Sequence, residues 1–187
     1  TTVLSGIDEK RITCLANFRN QKNHLFLLSV FKVLLKDYPA WTLHLVGKNF
    51  QDDYFNQLQQ FIEANQLQKS VFIYDSRDDI HHILSQSSIG VLPSLSEGFP
   101  LALLEYGLAG LAVVVTNVGE CANILGNPPQ GWLIESGNSE QLKASLSLLM
   151  ADEQTATRLG KGLKNRVLTQ FSAQKAIAKL LVCYSEL

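Results

Sequence analysis

The stretch Ser94-Leu95-Ser96-Glu97-Gly98-Phe99-Pro100-Leu101-Ala102-Leu103-Leu104-Glu105 sits between two apolar runs, Ile89-Gly90-Val91-Leu92 before it and Leu111–Thr116 after it. The expected order is strand, small polar loop, helix, strand. Pro100 is expected at the first helical position, where a missing N–H removes no hydrogen bond. The helix would then aim its free N–H groups, and the positive end of its dipole, beyond the carboxyl end of the preceding strand. Glu97 stands just before that anion-attracting end. Glu105 stands inside the helix, about 10 Å further along at a rise of ~1.5 Å per residue.

Outward from this segment, short apolar runs alternate with longer helical patterns. Strands are expected at Arg11–Ala16, Thr42–Gly47, Ser70–Tyr74, Ser88–Pro93, Leu111–Thr116 and Gly131–Ile134. Several are nearly continuous in Val, Ile and Leu, as strands buried on both faces are. Between them Leu27, Leu28, Phe31, Leu34 and Leu35 recur at helical spacing, as do Phe55, Leu58, Phe61 and Ile62. Ile80, Ile83 and Leu84 make a short third helix. After Ile134 three helices are expected, Ser139–Ala151, Glu153–Gln170 and Ala173–Glu186. The reading is one α/β domain over residues 1–187: a Rossmann-like, doubly wound parallel sheet of about six strands with C-terminal helices. Ligands of such sheets bind beyond the carboxyl ends of the strands. The loops Asn17–Asn23, Gly47–Asp52, Asp75–Asp78 and Thr116–Glu120 should converge there with the opening segment.

Composition narrows the function. Sixteen Lys and Arg against seventeen Asp and Glu leave no basic excess, so nucleic-acid binding driven by net charge is not expected. Cys14, Cys121 and Cys183 are scattered and odd in number, which fits free thiols in a reducing compartment rather than a disulfide framework or a zinc site. No apolar run approaches a membrane span, and no signal-peptide pattern is present. Thr1 in place of an initiator Met agrees with a fragment of a longer protein.

The loop Asn17-Phe18-Arg19-Asn20-Gln21-Lys22-Asn23-His24 offers two cations to a phosphate, Arg19 as a planar fork and Lys22 as a point charge. Two solvated loop cations are the plainer alternative. Glu97 could be a simple N-cap and Glu105 a solvated side chain. Leu101, Leu103, Leu104 and Leu108 nevertheless surround Glu105, and a carboxylate among them needs a partner. A diphosphate at the helix end with a hydroxyl-bearing sugar on each carboxylate, a nucleotide-sugar, would suit the spacing. Gly98 allows close backbone approach, and Phe99 reads as a packing residue. Asp52-Asp53 and Asp78-Asp79 read as helix starts rather than metal ligands, and His81-His82 as a solvated helix face. There is no GxGxxG after the first strand and no GxxxxGK[ST].

With these residues in view, the chain resembles the carboxyl-terminal, donor-binding domain of the retaining GT-B glycosyltransferases. The match runs through Val91-Leu92-Pro93-Ser94, Glu97-Gly98-Phe99-Pro100 and Glu105, the family's paired-glutamate motif. Asn17–His24, Leu45-Val46-Gly47, Ser76–Ile80, Thr116–Gly119, Gly131–Ile134 and Phe171-Ser172 agree in order and spacing. The resemblance implies Glu97 at the catalytic centre, touching the donor sugar with the Gly98 and Phe99 backbone. It implies Pro100 and Leu101 at the donor site, Glu105 on the nucleotide ribose, Arg19 and Lys22 on the diphosphate, and Tyr74 to Arg77 around the base. It further implies a UDP-, GDP- or ADP-linked donor, a glycan or lipid-linked acceptor, no metal or other cofactor, and a role in bacterial cell-surface polysaccharide synthesis. Work in the cytoplasm, at the inner face of the cytoplasmic membrane, is part of that expectation. Residues 1–9 would be the junction to a second lobe, and helix 173–187 would pack toward it. Three positions depart from the family pattern: Asn17 where Arg is common, Asp75 where Gly is common, and Asn123 where Glu is common. Arg19 would then supply the charge missing at Asn17. With the acceptor lobe absent, the chain by itself should be inactive. Two further readings use the same residues: a nucleotide-sugar epimerase of the same fold, and a non-catalytic flavodoxin-like binding domain.

Overall fold

The apolar runs become six parallel strands: β1 (Arg11–Leu15), β2 (Thr42–Val46), β3 (Val71–Tyr74), β4 (Ile89–Leu92), β5 (Ala112–Thr116) and β6 (Trp132–Ile134). In this computed structural model, residues 1–171 are described, and the expected helix Ala173–Glu186 lies outside them. The sheet order is β3-β2-β1-β4-β5-β6. The chain winds outward from β1 to β3, then crosses to β4 and winds the other way, a Rossmann-like, doubly wound α/β fold. All residues of β2, β4 and β5 are buried, in keeping with their mostly apolar sequences, Thr42, His44 and Thr116 being the polar residues among them.

The helices are α1 (His24–Leu34), α2 (Asp53–Ala64), α3 (Ile80–Ser85), α4 (Leu101–Ala109), α5 (Cys121–Leu125), α6 (Ser139–Ala151) and α7 (Glu153–Gln170). Helix α1 packs on α2 and α6, while α4 packs on α3 and α7. Asp52 caps α2 by accepting the Phe55 N–H at 3.0 Å. Asn138 and Asp152 cap α6 and α7 in the same way. Asp79 differs from its expected role: it bonds no helical N–H and instead accepts the N–H and hydroxyl of Thr2. Residues 1–9 are thereby strapped beside α3, with Leu4 buried against Val46 and Ile83. Gln86 holds the strap at a second point, its Oε1 accepting the Leu4 N–H and its Nε2 donating to the Thr2 carbonyl.

One boundary is corrected at the decisive segment. Pro100 is the N-cap residue, with extended backbone (φ −77°, ψ 95°), and Leu101 is the first helical residue. A proline fixes φ but not ψ, so its fitness for the first turn does not decide on which side of the boundary it falls. The helix ends on Gly110 at φ +81°, the left-handed cap that glycine adopts without strain.

Candidate functional site

At the carboxyl end of the sheet, where the strand order reverses, lies a cleft of about 370 Å³. Lys22, Glu97, Leu101 and Glu105 line it, together with Asn17 and Gly47 from the exits of β1 and β2; Phe99 and Pro100 contribute to its wall. Four chain segments are needed to build it. A short 3-10 turn, Asn20–Lys22, carries Lys22 inward and closes on Asn23, whose φ of +58° is a left-handed conformation that asparagine tolerates. This turn is zipped to the glutamate loop: the Leu95 N–H donates to the Gln21 carbonyl at 2.8 Å, and Gln21 Nε2 donates to the Ser96 carbonyl at 2.9 Å.

That docking brings Lys22 Nζ within 2.6 Å of Glu97 Oε1. The Ser94 hydroxyl donates to the same oxygen, also at 2.6 Å. The Glu97 side chain is only 8% exposed and that of Lys22 22%, so the pair is substantially withdrawn from water. Glu97 is therefore not the N-cap of α4; its carboxylate points to a cation on another loop. Gly119, at φ +53°, lets the loop after β5 press against this turn, since a Cβ there would fall 2.2 Å from the Glu97 carbonyl oxygen.

Glu105 is placed differently. It is half-buried on α4 and accepts no hydrogen bond from the described residues. Burial pushes its carboxyl pKa above the ordinary value. The first N–H groups of α4, on Leu101 and Ala102, precede the helix's own hydrogen-bond ladder and lie in the cleft wall. An ammonium, a helix start and an unpartnered carboxylate can together hold an anion flanked by hydroxyl groups.

Arg19, Tyr74, Arg77 and Gly98 lie outside the cleft lining. Arg19 is exposed and stacks over Phe50, with its guanidinium carbon 4.6 Å from the ring centre. Asn17 instead lines the cleft, its Oδ1 accepting the Lys48 N–H at 2.9 Å. The exposed Gly98 accepts the Glu120 N–H through its carbonyl. Phe99, in the cleft wall, packs at a tilt against Phe171 with ring centres 6.1 Å apart, in keeping with a packing role. Tyr74, at the end of β3, meets His44 Nδ1 at 3.3 Å. Arg77 is exposed and forms no hydrogen bond or ion pair among the described residues. Between them Asp75 accepts the Asn49 and Ser76 N–H groups, which hold its carboxyl below the usual range.

Two contributors were given no role of their own from the sequence. Ser94, three residues before Glu97, is fully buried and fixes the carboxylate. His24 is fully buried beneath the Lys22 turn, its ring against Phe18 and Tyr54, with both ring nitrogens unbonded. Burial pulls its pKa down to about 4. Its position directly after a run of polar loop residues gives no sign of burial.

The model of the family described as Glycosyl transferases group 1 matches residues 4–166. An uncharacterized glycosyltransferase of Haemophilus influenzae is 30% identical over 148 residues, covering 79% of this chain and 41% of that protein. The Escherichia coli UDP-Gal:α-D-GlcNAc-diphosphoundecaprenol α-1,3-galactosyltransferase is 28% identical over 170 residues, covering 89% of this chain and 43% of that protein. The chain thus spans less than half the length of these relatives. Among solved structures, Anabaena HepE in complex with UDP superposes with a TM-score of 0.88 at 20% identity, over 96% of this chain and 50% of that one. The C-terminal domain of the Francisella tularensis group 1 protein LpcC superposes at 0.79 with 26% identity, over 89% of both chains. With the match running from Leu4 to Arg166, through the glutamate segment and the Lys22 loop alike, the chain belongs to the glycosyl transferases group 1 family.

Proposed function

We propose that this chain is the donor-binding half of a retaining glycosyltransferase that takes a sugar from a nucleoside-diphosphate-sugar. The observation that carries this reading is the cleft itself, where Lys22, the start of α4 and the unpartnered Glu105 face one space. In this reading the diphosphate lies against Lys22 and the Leu101 and Ala102 N–H groups. The ribose diol donates to Glu105, and the transferred sugar meets Glu97 and the Gly98–Phe99 backbone. Charge gathering on the departing diphosphate is stabilised by fixed groups already aimed at it. These groups meet the charge without a metal. Arg19 reaches the phosphates only by leaving Phe50.

The acceptor is a glycan or a lipid-linked sugar, and it binds a second lobe that this chain does not contain. The Escherichia coli relative, named for a diphosphoundecaprenol-linked acceptor, supports that choice and a place in bacterial polysaccharide synthesis. No helix among the described residues is long and apolar enough to cross a membrane. In this reading, contact with a lipid-linked acceptor at the cytoplasmic membrane face is made by the second lobe.

Ligand-observed NMR of the 187-residue chain with UDP-, GDP- and ADP-glucose tests the reading, run in parallel with EDTA and with added Mg2+. One nucleotide series should bind, weakly and undiminished by EDTA, and Lys22→Ala should abolish the signal. Binding of none of the three, or binding that requires added metal, would contradict it. Sugar transfer should be measurable only with the full-length protein.

A further inference from the structure

Most of the sheet is zipped along its length, and one seam is not. Strand β1 pairs with β2 from Arg11↔Thr42 to Leu15↔Val46, and β4 with β5 from Ile89↔Ala112 to Leu92↔Val115. Between β1 and β4 the ladder stops after Ile12↔Ile89 and Thr13↔Gly90. Continued, that register would set Leu15 opposite Leu92, and the slanted bonds of a parallel ladder would join the Leu15 N–H to the Val91 carbonyl. The hydroxyl of Tyr106 occupies that place. The Leu15 N–H donates to Tyr106 Oη at 2.6 Å, and Oη donates to the Val91 carbonyl at 3.2 Å.

The insertion is built into the sequence at two positions. The Tyr106 side chain is fully buried and lies so close over β4 that a Cβ on residue 90 would come within 2.6 Å of the ring. Gly90 is what lets the ring pass. Because the hydroxyl is donor to one strand and acceptor from the other, neither backbone group is left unsatisfied. The parting matters at the floor of the cleft, which is lined by Leu15 at the end of β1, Ala16 just after it and Leu92 from β4. The residue before Tyr106 on α4 is Glu105.

We propose that Tyr106 is a positioning residue for the donor site: its hydroxyl wedges β1 from β4, opening the cleft floor, and fixes the rotation of α4 that presents Glu105. The proposal rests on the donor-site reading for its effect on ligands, while the wedge itself can be tested without one.

Tyr106→Phe in the 187-residue chain keeps the ring over Gly90 and removes only the oxygen. Titrations use UDP, GDP and ADP. The nucleotide that the wild-type chain binds should bind the variant about tenfold more weakly, the size of one well-placed hydrogen bond. Glu105→Gln should weaken binding about tenfold in the wild-type background but less than about threefold in the Tyr106→Phe background, a coupling that a general loss of stability would not produce. Additive losses, or unchanged affinity in Tyr106→Phe, would overturn the proposal. The second readout is the Leu15 amide in a 15N-resolved spectrum. In Tyr106→Phe it should shift and acquire a hydrogen-bond coupling to the Val91 carbonyl as the seam closes. An unmoved Leu15 amide would overturn the wedge. If the wild-type chain binds none of the three nucleotides, the donor-site reading fails, and the Leu15 amide alone decides the wedge.

Discussion

The two glutamates of the decisive segment are eight residues apart and line one cleft, yet they are held in opposite ways. Glu97 is consumed: Lys22 and Ser94 both bond one of its oxygens, and its side chain is 8% exposed. Glu105 has no partner among the described residues and is half-buried, with its pKa raised by the loss of water alone. A carboxylate already satisfied by its own protein shapes a site, and its removal is felt by the fold. A carboxylate kept dry without a partner costs stability in the free protein and gains its partner from a ligand. The Glu97 carboxylate should therefore respond chiefly in stability and Glu105 in binding, while Lys22, which faces both Glu97 and the cleft, should respond in each.

Acid should break the comparison most strongly, because it acts on the two ends with opposite sign. His24 lies under the Lys22 turn and His44 in β2, and burial lowers both pKa values from 6.5 to about 4. Between those values the unfolded chain binds the proton and the folded chain does not, so stability is complete above pH 6.5 and is lost as pH falls toward 4. Each histidine contributes on the order of 3 kcal/mol to that loss. Glu105 runs the other way: its folded pKa lies above its unfolded one, so acidification just above the ordinary carboxylate range relieves its cost. Urea denaturation from pH 7.5 to 4.5 should show a net fall in stability, and His24→Leu should flatten the curve. A profile indifferent to His24 would detach the buried ring from the loop it underlies.

Breaking the ion pair comes next. Lys22→Ala leaves Glu97 with little water and no cation, and should destabilise the chain by about 2 kcal/mol, less than a fully buried pair because both partners keep some exposure. The double variant Lys22→Ala/Glu97→Gln should recover part of that loss in chemical denaturation. Glu105→Gln should leave stability unchanged or slightly higher while weakening nucleotide binding about tenfold, the loss of one charge-assisted hydrogen bond. Ser94→Ala is the smallest change, about 1 kcal/mol of stability from one buried hydrogen bond to the Glu97 carboxylate.

Features set by periodicity were largely legible in the sequence. Each strand edge falls within one residue of its apolar run, and α6 and α7 occupy the expected spans, because burial on both faces and helical spacing leave direct marks on residue order. Helix α5 and the 3-10 turn at Asn20–Lys22 were not expected; neither is long enough to repeat a pattern. Within the site, the paired glutamates and Lys22 were visible as residue types at a spacing. Which groups pair with which was not, since most of the pairings join distant parts of the chain. Arg19 stacks on Phe50 from the loop after β2, and Asp79 ties down Thr2 rather than capping α3. The hydroxyl of Tyr106 reads as core until the register of β1 against β4 shows what it replaces.

The most direct measurement of the central claim is a calorimetric titration of the wild-type chain and of Glu105→Gln with UDP-, GDP- and ADP-sugars, paired with their denaturation curves. One donor series should bind the wild type, and Glu105→Gln should lose about tenfold in affinity at unchanged stability. Equal affinity in the two proteins, or a loss of stability matching the loss of binding, would contradict the assignment of Glu105 as the carboxylate held open for the nucleotide.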